Sequence, residues 1–258
     1  MEWRQFYERL RALDPAALPG LGRDLLDFYD AQAGEAQAGE IRLTDAASAP
    51  GAAVAQVARA LQIGDASALA RSTSRDVTNG TPHATAPITI SAGALLDLLE
   101  GGDARAARRY LCAQACLLAM AGVPEISLDA LLGLRGGIDE RALLDELQDE
   151  ASLRYRITSR FLGLLNLRRA HSAFHPAGQQ TVLDLGSAVF ALERIASDGQ
   201  ERVIALHNVT AQVAAIEIAT GGVRRWRNLH LDEAVDIPAV FTYRIVLSPY
   251  QVAWLRAE

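Results

Sequence analysis

The hydrophobic pattern of this chain changes its period near residue 180, and this change constrains the fold more than any other feature. Before residue 171, apolar residues recur at spacings of three and four, which is typical of helices packed on one side. From Thr181 onward they alternate with polar residues or form short runs between turn residues, as in antiparallel strands. The sequence therefore predicts an α+β fold, with a helical region over residues 1–176 and an antiparallel β-domain over residues 177–258.

The region before residue 171 contains a series of predicted helices. The first is predicted from apolar residues at helical spacing, namely Trp3, Phe6, Tyr7, Leu10 and Leu13. Further helices are predicted over residues 21–29, 54–61, 91–99, 103–120, 140–147 and 152–170. Four of them have expected N-caps, which are Ser91, Asp103, Asp139 and Ser152. Residues 31–39 and 72–87 are rich in linker and turn-forming residues, so we expect a linker and a surface excursion there.

The β-domain is predicted from short apolar runs that turn residues separate. The predicted strands cover residues 181–185, 188–192, 202–206, 212–218, 242–247 and 252–255. Glycine-containing turns such as Gly221-Gly222 lie between them. We therefore expect a compact antiparallel sandwich.

The balance of charges excludes several classes of protein. The chain has 31 acidic and 25 basic residues and a net charge of −6, so we expect no nucleic-acid partner. All basic residues are arginines, which excludes P-loop and Schiff-base lysine chemistry, and we expect no cofactor. Two arginine clusters are candidates for local phosphate or carboxylate sites, although solvated faces and intramolecular ion pairs are the favoured interpretation. They are Arg105, Arg108 and Arg109, and Arg224, Arg225 and Arg227.

The distribution of apolar residues indicates a chain of the cytoplasm. No uninterrupted apolar run reaches 18 residues, so we expect no membrane span. Charged residues near the N-terminus, including Glu2 and Arg4, do not resemble a signal peptide. Cys112 and Cys116 lie four residues apart on one predicted helix, which favours buried, reduced thiols over a disulfide, a metal site or a redox site.

Several short motifs follow one another in a specific order along the chain. They are Ala121-Gly122-Val123-Pro124, Ser152-Leu153-Arg154, Leu183-Asp184-Leu185-Gly186, Leu206-His207-Asn208-Val209, Trp226-Arg227 and Pro249-Tyr250-Gln251. This series resembles the end of sucrose phosphorylase-like (glucosylglycerate phosphorylase-like) enzymes of the α-amylase superfamily, and the resemblance runs from about residue 92 to residue 258.

The resemblance implies that the helical region is the remnant of a (β/α)8 barrel and that the β-domain closes that barrel. A complete barrel needs about 250 residues, sometimes as few as 200. Only about 170 residues precede the predicted strands, and they contain no series of six or more parallel strands. We therefore expect most of the catalytic barrel to be missing from this sequence. The aromatic residues and histidine that the family has after Gly-Val-Pro are replaced by Ile126, Ser127, Leu128 and Asp129.

The resemblance also implies a retaining reaction on an α-glucoside, which needs two carboxyl groups about 5 Å apart. Asp45, with Arg42, is the weak candidate for the nucleophile. The family places its arginine two residues before that aspartate, whereas Arg42 stands three before, and an odd shift on a strand moves a side chain to the other face. Three interpretations stay open: a decayed nucleophile motif, a late His-Asp-Gly motif without its histidine, and a surface turn.

No glutamate fits the role of the general acid and base. Glu100 and Glu125 are the positions considered, and both are expected to be solvated charges. His171 and His175 have a spacing that zinc ligands on a helix can show, so they are weak metal candidates. The alternative is that they belong to the connection into the β-domain, because no third ligand follows.

These observations favour a non-catalytic or truncated sucrose phosphorylase-like protein of carbohydrate metabolism that serves as a binding or assembly module, with a sugar as a candidate ligand. The alternative is an active α-glucoside phosphorylase or hydrolase completed by a partner chain, and a third hypothesis is a gene product without a function of its own. The predicted helix over residues 103–120 is apolar on nearly every side and needs cover. We therefore expect a homodimer or a complex with a barrel-bearing relative through Leu111, Leu117, Leu118 and Met120.

Overall fold

A computed structural model of the chain describes residues 2–12, 20–34, 41–44, 52–78, 87–89, 104–132, 140–223, 225–231, 233–236 and 242–258. The described helices are α1 (Trp3–Ala12), α2 (Gly20–Gly34), α3 (Ala52–Ile63), α4 (Ser67–Thr78), α5 (Ala104–Ala119), α6 (Leu128–Leu132), α7 (Glu140–Gln148) and α8 (Leu153–Ala170), and a short 3-10 helix covers Ser172–Phe174. The predicted sequence of helices followed by antiparallel strands is confirmed. Among the described helices, none combines the length and the hydropathy that a bilayer crossing requires.

Helix α8 begins as the sequence predicts. The backbone N–H of Tyr155 donates to Ser152 Oγ over 2.9 Å, so Ser152 is the N-cap. The other predicted caps and the helix over residues 91–99 lie outside the described residues.

Helix α4 occupies the first part of the predicted surface excursion, so that prediction is wrong over residues 72–78. The hydroxyl groups of Thr73 and Ser74 each donate to a backbone carbonyl four residues earlier, at 2.8 and 2.9 Å. This bonding lets residues that favour turns stay within a helix. Ala66 and Leu69 anchor the helix, since both are 1% exposed.

A small parallel sheet lies within the helical region and was not predicted from the sequence. It consists of β1 (Arg42–Thr44), β2 (Pro87–Thr89) and β3 (Val123–Ser127), in the spatial order β1-β3-β2. Strands of three to five residues are too short to show a period, which explains why the pattern analysis missed them.

Two antiparallel sheets form the C-terminal region. The larger has the order β4-β5-β6-β11-β8-β9, and the smaller pairs β7 with β10. Their bounds are β4 (Gln179–Leu183), β5 (Val189–Ile195), β6 (Arg202–Asn208), β7 (Ala214–Ala219), β8 (Arg225–Asn228), β9 (Glu233–Asp236), β10 (Thr242–Leu247) and β11 (Val252–Ala257). Strands β8 and β9 were not predicted, because each has four residues and β8 is mostly charged or polar.

The buried side chains form two main cores. One lies between the two antiparallel sheets and includes Ile216 and Leu247 from the small sheet and Trp226 from the large one. The other joins the helices to the inner face of the large sheet, so that Phe161 and Trp254 belong to the same core. The expected domain boundary between residues 176 and 177 is therefore crossed by continuous apolar packing, and its position stays a prediction.

Helix α5 is largely covered within the chain, although its apolar side chains were expected to need a partner, and the partner itself stays a prediction. Leu117, Leu118 and Met120 are 2%, 0% and 6% exposed, and only Leu111 is partly exposed. Cover comes from α3, α8 and β6, which pack around the helix. Cys112 and Cys116 are buried free thiols, as predicted.

A buried arginine from α8 holds the end of α5. Arg168 is 1% exposed, and its guanidinium donates to the carbonyl oxygens of Leu118, Met120 and Gly122, the last two at 3.1 and 2.6 Å. These carbonyls lie at and just beyond the helix C-terminus, where acceptors lack intrahelical partners. A cation is also favoured at this end of a helix by the helix dipole.

A second buried arginine reaches the same helix end from the β-domain. Arg194 of β5 is fully buried and donates to Ala119 O at 3.0 Å and to His175 O at 2.9 Å. Burial lowers the pKa of Arg194 to about 10. The helical region and the β-domain are thus joined by charged hydrogen bonds as well as by apolar packing.

Candidate functional site

The carboxyl edge of the parallel sheet is the first place to look for catalysis, because barrel enzymes place their catalytic groups at the carboxyl ends of the strands. At this end of β3, Ile126, Ser127 and Leu128 are at most 2% exposed. The indole N–H of Trp3 donates to Ile126 O at 3.1 Å, so α1 lies over the strand. Ser127 Oγ accepts a hydrogen bond from the backbone N–H of Ala130 at 3.1 Å. The hydroxyl group is therefore engaged at the start of α6. The end of β3 is closed to a substrate.

Arg42 is paired across the sheet with a residue that the sequence analysis placed in solvent. Arg42 on β1 is in register with Glu125 on β3, and Arg42 Nη1 lies 2.7 Å from Glu125 Oε1. The side chain of Glu125 is 12% exposed, so the expectation of a solvated charge is wrong. Glu125 lies within a buried strand and is the only acidic residue of these three strands.

Asp45, the candidate nucleophile, and Glu100 lie outside the described residues. Asp45 follows the last residue of β1 directly in the sequence. Arg42, its expected companion, binds Glu125 and is therefore engaged with a different carboxylate.

The candidate metal ligands His171 and His175 flank the 3-10 helix in the connection to the β-domain. His171 Nδ1 lies 2.7 Å from Glu201 Oε1, and His175 Nδ1 accepts the backbone N–H of Ala177 at 3.1 Å. No group of three or more histidine, cysteine or acidic residues suited to a metal occurs in the described part of the chain. Both histidines thus have partners that order the connection.

Glu201 gathers three donors from this connection. It binds His171 through Oε1, and its Oε2 accepts from the hydroxyl of Ser172 at 3.1 Å and the backbone N–H of Ala173 at 2.9 Å. Burial alone would raise the pKa of Glu201, but these hydrogen bonds outweigh it and lower the pKa. The carboxylate therefore fixes the turn between α8 and β4.

The two predicted arginine clusters have different surroundings. Arg225 and Arg227 lie 3.2 and 2.6 Å from the carboxylate of Glu258, so they form the intramolecular ion pairs that the sequence analysis favoured. Arg105 donates to the carbonyl of Ala211 at 3.4 Å. Arg108 lines a cavity.

This cavity lies between α5, α8 and the turn that joins β10 to β11, and its volume is about 760 Å³. Its apolar wall consists of Leu111, Cys112, Leu164, Leu167, Leu229 and Val252. Arg108 and Arg160 are exposed residues of its lining, and the described lining residues include no acidic side chain. A ring nitrogen of His230, another lining residue, is buried without a hydrogen-bond partner among the described residues.

Gly163 contributes to the wall of this cavity from the middle of α8. Glycine inside a helix costs about 1 kcal/mol relative to alanine. A Cβ atom at this position would meet nothing within 4 Å, so close packing does not require the glycine.

Tyr250 belongs to the turn of residues 248–251, in which the N–H of Gln251 donates to Ser248 O at 3.0 Å. Pro249 precedes Tyr250, whose φ is 57°. A type II turn has this arrangement and normally places glycine where Tyr250 stands. A non-glycine residue held there costs on the order of 1–3 kcal/mol. This segment is one of the landmarks in the sequence, and its strained position at Tyr250 is visible only in the structure.

Comparison with solved structures establishes the class of fold. The structure matches the α-amylase from H. orenii with a TM-score of 0.51, over 80% of this chain and 48% of that chain, at 17% sequence identity. At this identity the likeness concerns the fold alone, and it is to part of an α-amylase.

Comparison of sequences identifies relatives, although no protein-family model matches the chain. The glucosylglycerate phosphorylase of Escherichia coli is 28% identical over 174 residues, which cover 61% of this chain and 30% of that protein. The glucosylglycerate phosphorylase of Spirochaeta thermophila is 32% identical over 174 residues, which cover 58% of this chain and 30% of that protein. The predicted resemblance to glucosylglycerate phosphorylase-like proteins is therefore confirmed, and the chain spans 30% of the length of these two relatives.

Proposed function

We propose that this chain is a non-catalytic, glucosylglycerate phosphorylase-like protein of carbohydrate metabolism that serves as a binding or assembly module. In this proposal the helical region is the remnant of a (β/α)8 barrel and the two antiparallel sheets form a closing sandwich. Strand β3 supports the barrel origin, because it has a parallel neighbour on each side, as every strand of a closed barrel has. The shared core of the two antiparallel sheets supports the sandwich.

The closed carboxyl end of β3 is the observation that carries the non-catalytic part of the proposal. Retaining cleavage of a glycoside needs two carboxyl groups on opposite sides of the scissile bond. Glu125 is instead paired with Arg42, and the end of its strand is buried under Trp3. A sugar cannot reach the backbone at this edge without displacing α1.

The test is release of glucose 1-phosphate from glucosylglycerate or sucrose in the presence of phosphate. We expect no release above a protein-free control, at any protein concentration that remains monodisperse. Release that an Asp45→Asn change abolishes would contradict the proposal, because it would show that Asp45 is a working nucleophile.

An active phosphorylase or hydrolase completed by a partner chain is the second candidate. It is favoured by the place of Asp45 in the sequence, directly after the last residue of β1, because barrel enzymes carry catalytic carboxylates after the carboxyl ends of their strands. The proposed partners are a barrel-bearing relative or a second copy of this chain, and light scattering at micromolar concentration distinguishes these assemblies from a monomer. Activity that appears only on mixing with the relative would favour this candidate over the first. The proposed location is the cytoplasm, and the two free, buried cysteines fit a reducing compartment.

A further inference from the structure

We propose that the cavity between α5, α8 and the turn of residues 248–251 binds a small organic anion, one that has an apolar chain and a single carboxylate or phosphate group. Its described lining residues include none from the parallel sheet. The proposal therefore does not rest on the proposed function, and either can fail without the other.

The size and lining of the cavity select an apolar body for the ligand. A volume of about 760 Å³ lies within the range of about 300–1,000 Å³ that small-molecule sites have. The wall is formed mainly by leucine and valine side chains. A sugar would bury hydroxyl groups against this wall without partners, which is unfavourable. An alkyl or alicyclic body would instead gain from leaving water.

The charged lining selects an anion. Arg108 comes from α5 and Arg160 from α8, so two arginine side chains border the cavity from different helices. No acidic residue stands among the described lining residues, although the whole chain has a net charge of −6. Guanidinium groups bind carboxylates and phosphates through paired hydrogen bonds. Tyr250 and Gln251 add polar atoms to the same lining.

Two residues that are locally unfavourable for the backbone line this cavity. Gly163 weakens α8 at a position where a side chain would have free space, and its absence of a side chain keeps the wall open. Tyr250 stands in a left-handed conformation where glycine is normal, and it brings a large aromatic side chain to the lining. Local strain of this kind concentrates at ligand sites. A binding site accounts for both positions, since Gly163 leaves space in the wall and Tyr250 borders that space.

The test is isothermal titration calorimetry of the full chain with decanoate, decyl phosphate, decanol and glucose 1-phosphate. We expect saturable binding of one molecule of decanoate or decyl phosphate per chain. The ligand with the lower dissociation constant identifies the preferred head group. Decanol should bind at least about tenfold more weakly, because it lacks the charge that the arginines recognise. Glucose 1-phosphate should not bind, because it lacks the apolar body.

Variants locate the binding. Arg108→Gln combined with Arg160→Gln should weaken decanoate at least about tenfold. The matched control is Arg109→Gln, which removes one charge from the next residue of α5, an exposed arginine that does not line the cavity. Gly163→Leu should abolish binding by filling the cavity and should raise the thermal midpoint by about 2–4 °C through better helix propensity.

Three results would overturn the proposal. They are equal affinity for decanol and both anions, unchanged affinity after Gly163→Leu in a chain that still unfolds cooperatively, and an equal loss of affinity in Arg109→Gln and the double variant. If Gly163→Leu does not fold, Gly163→Phe and the double arginine variant decide between the same outcomes. The proposal would also be overturned if neither decanoate nor decyl phosphate gave a heat of binding at concentrations up to the millimolar range.

Discussion

His207 lies completely buried in the β-domain, where both of its ring nitrogens have hydrogen-bond partners. Its Nε2 accepts the indole N–H of Trp254 at 3.2 Å, so its Nδ1 carries the proton and donates to Phe190 O at 3.0 Å. Burial lowers the pKa of His207 to about 4, and burial has the same effect on His230, whose ring lies 5.0 Å from that of Trp254. Both residues are held as neutral rings in the folded chain.

These two histidines should make the chain unstable in mild acid. Their pKa is about 4 when folded and about 6.5 when unfolded, so the unfolded chain binds more protons between these values. The stability they contribute is complete above pH 6.5 and is lost as the pH falls towards 4, by up to about 1.4 kcal/mol per pH unit for each histidine. Urea unfolding at pH 7.5, 6.0 and 5.0 measures this. His230→Phe should show a shallower decline, and an identical decline in both proteins would contradict the assignment.

Two residues that carry the resemblance have structural roles, and such roles let a sequence predict its relatives better than its activity. His207 and Asn208 come from one landmark motif and are both fully buried. The side-chain amide of Asn208 donates to Leu247 O and Ser248 O, at 3.2 and 2.9 Å, and ties β6 to the start of the turn between β10 and β11. Such side chains specify the packing of the β-domain.

At the scale of elements, the end of α5 depends on Arg168. Replacing this side chain by methionine keeps much of its volume but leaves the carbonyls of Leu118, Met120 and Gly122 without their donor. Buried polar groups without partners are costly. We expect Arg168→Met to lower the free energy of unfolding by about 2–4 kcal/mol.

The control for this change is Arg156→Met, which removes an exposed arginine from the same helix and should change stability by no more than about 0.5 kcal/mol. Chemical denaturation of both variants gives the comparison. Equal effects of the two changes would mean that the buried hydrogen bonds do not hold the helix end.

The helices and strands are predicted correctly from the sequence where a local signal is strong. The prediction fails where tertiary contacts determine which element forms. The cap at Ser152 and the length of α8 follow from a local hydrogen bond and a long apolar period. Strand β3 has five residues and is a strand because β1 and β2 pair with it, and no local pattern reports that pairing. Glu125 was assigned to solvent for the same reason, because its partner Arg42 lies 83 residues away in the sequence. The cavity likewise combines residues from distant segments.

At the scale of the whole molecule, the β-domain shares a core with the helices. Residues 177–258 should keep a cooperative thermal transition when excised, because the core between the two antiparallel sheets lies entirely within them. The midpoint should be lower than that of the full chain, because Phe190 and Trp254 lose their helical cover. Circular dichroism during heating measures both properties. A random-coil spectrum of the fragment would show that the sheets need the helices to form.

The hydrogen bond from Trp3 to Ile126 joins residues that are 123 positions apart, and this separation affects how the chain emerges from the ribosome. At about 5–20 residues per second, synthesis takes about 6–25 s to travel from one to the other. During that interval α1 has no β3 to dock on, and the apolar face that includes Trp3 has only its contacts with Phe28 and Tyr29 of α2 among those described for this ring. Until β3 follows, this part of the nascent chain should therefore be a client of holding chaperones, and Trp3→Ala should prolong that association.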